Sequence, residues 1–81
     1  MTNKPLFIRA EWDEEAKVWV ATSDDVLGLA TESDNLESLI AKLKVIIPEL
    51  LYANGTCVGF EVPFEVLSRR FEVAKGVGLD V

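Results

Sequence analysis

The chain contains no histidine. That removes the side chain whose ordinary pKa lies nearest neutrality, and with it the usual general base and the commonest metal-ligating ring. Enzymatic readings lose their simplest route. The one cysteine, Cys57, can close no internal disulfide and has no second thiol with which to share a metal, so it reads as a small structural residue. Basic residues are scarce as well. Eight Lys and Arg against fourteen Asp and Glu leave a net charge of −6, which opposes a phosphate backbone at long range and argues against direct nucleic-acid binding. The same charge would attract a basic protein. No apolar run approaches the roughly 18 residues of a membrane span, and the Met-Thr-Asn-Lys-Pro start lacks the layout of a signal peptide. A cytoplasmic location away from membranes is the resulting expectation.

What the chain does hold is a packed composition, 49% hydrophobic and 27% charged over 81 residues. This is one domain near the size below which a single core struggles to stand alone, so self-association, most simply as a dimer, is expected. The organising element is a helix over residues 34–54. Leu36, Leu39, Ile40, Leu43, Ile47, Leu50 and Leu51 recur at the spacing that gathers side chains onto one helical face. Asp34 followed by Glu37 reads as a capping box, and Asn54-Gly55 as the stop. Pro48 removes one hydrogen bond, to the carbonyl of Lys44, and is expected to bend the last turns.

Before the helix, Leu6, Ile8, Ala10 and Trp12 alternate with Phe7, Arg9 and Glu11, the two-residue period of a strand. A polar turn at residues 13–16 leads into a second strand, in which Val18, Val20 and Thr22 alternate with Trp19, Ala21 and Ser23. If Trp12 lies opposite Val18, then Ala10 meets Val20 on the helix side, and the other face carries Phe7, Trp19 and Ala21 among Arg9 and Glu11. One helix cannot cover both faces. Phe7, Trp19 and Ala21, with the acidic Asp24 and Asp25 beside them, are therefore the candidate interface, because Trp anchors contribute disproportionately to association.

The 24–28 stretch is a turn whose Gly28 can take a positive φ, and a short third strand follows over residues 29–32. After the helix, Phe60, Val62, Phe64 and Val66 alternate, so a fourth strand is expected through to about Val73, confined to a sheet edge by Pro63. A second helix starting at Pro63, with Phe64, Leu67, Phe71 and Ala74 on one face, fits nearly as well. Residues 76–81 lack periodicity and read as a mobile tail beyond a domain of residues 1–75. The acidic groups at 13–15 and 24–25 fall where polar turns are wanted anyway, and no glycine run precedes a capped helix. No catalytic, metal or cofactor site is expected.

Residues 11–21, then 23–32, then Asn35-Leu36-Glu37-Ser38-Leu39, resemble the HicB-like antitoxin family, and most of all a branch of very small members with a Pro-Glu-Leu-Leu helix, here residues 48–51, and a Pro-Phe strand, here Pro63-Phe64. The resemblance implies an α+β fold of β-β-β-α-β order. This is an antiparallel meander with one helix on one face and a fourth edge strand beside the first, like a truncated ribonuclease H fold. A right-handed crossover then gives sheet order 3-2-1-4. It also implies a role: typical members neutralise HicA, a small basic mRNA-cleaving toxin, and carry a C-terminal DNA-binding module. Two departures stand out. Leu27 occupies the position before the glycine where typical members have proline, and the chain ends where that module would begin, so autorepression by this polypeptide alone is not expected. The functional expectation is a non-enzymatic protein-binding module acting on a HicA-like toxin. The alternative is a free-standing homo-oligomeric domain.

Overall fold

The computed structural model describes residues 4–56, 59 and 61–78. The expectations that fall on Cys57, Phe60 and the last three residues of the tail lie outside them. The elements run β1 (Leu6–Asp13), β2 (Val18–Thr22), β3 (Ala30–Ser33), α1 (Leu36–Ala53) and β4 (Phe64–Arg69). They form one α+β unit whose four-stranded sheet has the order β3-β2-β1-β4. β1 and β2 are antiparallel, β2 and β3 are antiparallel, and β4 returns parallel to β1.

The helix stripe is buried as its spacing requires: Leu39, Leu43, Ile47 and Leu51 face inward, packed over β2 and β3. They meet Ile8, Ala10, Ala21, Val26 and Leu29, with Leu6, Trp19, Phe64 and Val66 partly buried against this core. The start of the helix is one residue later than the capping box predicts. Asn35, not Asp34, is the N-cap, and its side chain accepts from the Ser38 N–H at 2.8 Å. Asp34 instead accepts from the Asn35 side-chain amide. Glu37 lies in the first turn, where the helix dipole favours a negative charge, but closes no box. Two capping-competent residues stand side by side, and the extended backbone at Asn35 (φ −144°, ψ 160°) selects the second.

The helix continues past Pro48 to Ala53 and ends in a Schellman motif. Thr56 N–H donates to the Leu51 carbonyl at 2.8 Å and Gly55 N–H to that of Tyr52 at 3.0 Å, which Gly55 permits at φ 82°. The Asn54 side chain then ties this end to the β2–β3 loop by donating to the Leu27 carbonyl.

The hairpin register differs from the sequence reading by one residue. Trp12 pairs with Trp19, Glu11 with Val20, and Ala10 with Ala21. The cause is the turn. Lys17 N–H donates to the Asp13 carbonyl at 2.7 Å, and Lys17 takes a left-handed φ of 60°, so the turn occupies residues 14–17 and Asp13 stays in β1. A slip of one residue exchanges the faces of a strand. Trp19 and Ala21 therefore lie on the helix side, Ala21 fully buried, while Val18, Val20 and Thr22 share the open face with Phe7 and Arg9.

Residues 64–69 are a strand, as the preferred template has it, and the competing helix is absent there. The strand is shorter than expected because its partner runs out. β4 pairs along β1 from Leu6–Phe64 to Glu11–Arg69, and β1 continues only two residues further, to Asp13, before its turn.

Candidate protein-interaction surface

With the helix on one side, no described element covers the opposite side of the sheet. Strand alternation brings Phe7, Arg9 and Glu11 of β1 beside Val18, Val20 and Thr22 of β2 and Glu65, Leu67 and Arg69 of β4. Apolar and charged side chains interleave across this face: Arg9 lies between Thr22 and Leu67, and Glu11 between Val20 and Arg69. A shallow depression lies between β1 and β4, lined by Phe7, Arg9, Glu11, Leu67, Ser68 and Arg69.

Of the candidate interface residues, Phe7 is on this face, while Trp19 and Ala21 are on the other. Trp19 meets Trp12 edge to face, with ring centroids 5.4 Å apart, a geometry the ring quadrupoles favour. Asp24 and Asp25 are brought to Phe7 by a clasp that sequence reasoning missed. Asp25 accepts from the Phe7 N–H at 2.8 Å, and the Ser23 hydroxyl donates to the Phe7 carbonyl at 2.6 Å while accepting from the Asp25 N–H. The ladder register begins only at Arg9–Thr22, so these side chains satisfy backbone groups of β1 beyond the last paired residue. Its sequence signal is an Asx/Ser-turn pattern, Ser23-Asp24-Asp25, placed directly after a strand.

Asp24 also takes both guanidinium nitrogens of Arg9, at 3.2 and 3.3 Å. This hydrogen bond, with the charge of Arg9, holds the Asp24 carboxyl below its usual range and raises Arg9. Because the folded carboxyl is depressed, the stability it contributes is present above the ordinary Asp value and is lost as pH falls through the folded value. Asp24 is largely exposed, so the contribution is modest. Asp24→Asn should therefore lose less of its urea midpoint than the unmodified protein between about pH 5 and 3. Midpoints that fall in parallel would show that the pair contributes nothing.

At the other end of the sheet, Trp12 is held on three sides. Its indole N–H donates to Glu14 at 2.7 Å, Trp19 packs on its ring, and the Arg70 guanidinium lies 4.1 Å from its centroid. Glu14 is bonded to Lys17 as well, and these two hydrogen bonds keep its carboxyl below the ordinary value, with Lys17 the larger cause. The acidic turn at residues 13–15 is thus a structured cap: Asp13 accepts from the N–H groups of Glu15 and Ala16. Among the described residues, no group of three or more His, Cys, Asp or Glu is placed to hold a metal ion, and no helix is long and apolar enough to cross a membrane. Gly28 takes φ 85°, as its turn requires, with Leu50 packed nearby.

These features define a small two-layer α+β domain with one covered and one open sheet face. Residues 5–75 match the family described as a domain of unknown function, DUF1902, and the chain belongs to that family. It is similar to a solved structure, the hypothetical protein TTHA1013 from the extremely thermophilic bacterium Thermus thermophilus. The two share 49% identity over 89% of this chain and 99% of that one, with a TM-score of 0.69. No curated protein matches the chain.

Proposed function

We propose that the protein is a non-enzymatic, HicB-like protein-binding module that neutralises a small basic HicA-like mRNA interferase by direct contact in the cytoplasm. The observation that carries this reading is the open sheet face, on which Phe7, Val20 and Leu67 interleave with Arg9, Glu11 and Glu65, Arg9 being paired with Asp24. Such a face offers apolar area to a partner and charge to orient it. The β-β-β-α-β order is also the one that the HicB resemblance implies. A net charge of −6 would speed encounter with a basic nuclease, and the bound module would occlude the surface that the RNA needs. The clasp at Ser23, Asp24 and Asp25 keeps two carboxylates at the edge of the face without leaving them free to wander. The alternative, a free-standing homo-oligomeric domain, draws on the exposed apolar residues beyond β4.

The test is titration of the protein into an RNA-cleavage reaction run by a purified HicA-like nuclease encoded beside this gene. Stoichiometric inhibition is expected, with association slowing as salt rises. Phe7→Asp should weaken the complex by about 2 kcal/mol, as loss of a central aromatic commonly does. A nuclease that cleaves at full rate in excess unmodified protein would rule the reading out.

A further inference from the structure

From Arg70 to Gly78 the chain does not fold back onto the domain. Every residue from Arg70 to Gly78 is exposed, including Phe71 at 85%, Val73 at 74% and Val77 at 103%. No residue between Arg70 and Val77 takes a positive φ or forms a turn. The molecule measures 61 × 28 × 19 Å, and its radius of gyration of 16.6 Å exceeds the roughly 12 Å of a compact chain of this length. This segment is an arm. Its base is fixed, because Arg70 stacks on Trp12 and is paired with Glu72. Arg70 and Glu72 thus share one side, and strand alternation sends Phe71, Val73, Lys75 and Val77 to the other, the side of Leu67 and the open face.

We infer that the arm is an exchanged strand: residues 71–76 of one copy pair antiparallel with the free edge of β4 in a second copy, across a two-fold axis near Arg70. Three features select a second copy of this chain as the occupant. Among the described residues, no strand pairs with the edge of β4 away from β1, where a sheet presents unpaired backbone donors and acceptors. The arm matches it in length, six residues against the six of β4, each about 20 Å at 3.3 Å per residue. Side chains also match in the two-fold register: Lys75 falls opposite Glu65, Val73 opposite Leu67, Ala74 opposite Val66 and Phe71 opposite Arg69. Opposite charges and apolar pairs at facing positions are what stabilise an antiparallel ladder. The like charges of the two Arg70 side chains at the axis are each offset by Glu72. Residues 71–76 hold one acid, Glu72, and one cation, Lys75, so the arm approaches β4, with its one acid and one cation, without net repulsion. Pairing would also move Leu67, 60% exposed in one copy, into contact with Val73 of the other.

This assembly does not rest on the toxin-binding reading, and its test is separate. Sedimentation equilibrium of the full chain should give a dimer. Val73→Asp should raise the dissociation constant by about a hundredfold, since the two-fold axis counts each loss twice, while the circular dichroism stays unchanged because Val73 touches no core residue. Glu65→Lys and Lys75→Glu should each weaken the dimer by about tenfold, and the two together should restore it. An unmodified protein that stays monomeric at high concentration overturns the proposal, and so does a dimer that Val73→Asp leaves intact. Failure of the double charge exchange to restore association overturns the antiparallel register.

Discussion

Leu43→Ala should destabilise the domain by about 2 to 5 kcal/mol, measured as a fall in the urea midpoint with an unchanged slope. Leu43 is 0% exposed, at the middle of the helix stripe, with Leu39 one turn before it and Ile47 one turn after. Its loss removes the transfer free energy of three carbon atoms and leaves a cavity that the sheet below cannot close. The strands there are held in register by their ladders and by Ala10 facing Ala21, two residues already too small to move inward. In so small a domain that loss is a large share of total stability. A change under about 0.5 kcal/mol, the range of surface substitutions, would mean that the helix presents another face to the sheet.

The helix was legible because it rests on a signal that no neighbouring alternative shares: seven apolar residues at helical spacing between a polar cap and Asn54-Gly55 fit no strand. The sheet order followed from the HicB-like resemblance, which places the fourth strand beside the first in agreement with the crossover rule. The hairpin register carries no such signal. Val18, Trp19, Val20 and Ala21 are apolar at both parities, so alternation does not choose a face. The choice passes to the turn, where residues 13–16 and 14–17 are equally polar. The structure selects the turn at 14–17 through Lys17 at φ 60°, a conformation that lysine seldom adopts and that its sequence position does not announce. The candidate interface inherited that choice. Phe7 stayed on the open face because β1 has a single apolar register, whereas Trp19 and Ala21 changed sides with β2.

The arm was hidden for a different reason. No glycine or proline interrupts the chain from Phe64 to Val73, and a sequence has no way to state that β1, the partner, turns away after Asp13. Length of pairing is a property of two strands together. Likewise the aspartates at 24 and 25 were legible as a turn, but their use as acceptors for Arg9 and the Phe7 N–H depends on where β1 lies across the sheet.

The register itself can be tested by placing the same charge on adjacent residues of β2. Ala21→Asp sets a carboxylate into a position with 0% exposure, opposite Ala10 and within the cluster of Ile8, Leu39 and Leu43, where no cation is at hand. An unpaired buried charge costs about 3 to 5 kcal/mol or protonates instead, so the variant should be strongly destabilised at neutral pH. Val20→Asp puts its carboxylate on the open face, opposite Glu11 and Glu32, where water reaches it. There the cost is lost apolar contact and like-charge repulsion between facing residues, about 1 to 2 kcal/mol. Both costs shrink as the pH is lowered, because both carboxylates have folded pKa values raised above the unfolded one. The pH at which they shrink differs. Burial raises the carboxyl of Ala21→Asp far more than two solvated neighbours raise that of Val20→Asp, so recovery of the first should begin close to neutrality and that of the second only near the ordinary carboxylate range. Urea melts that showed the reverse order, with Val20→Asp the more damaging, would return Trp19 and Ala21 to the open face and restore the turn at residues 13–16.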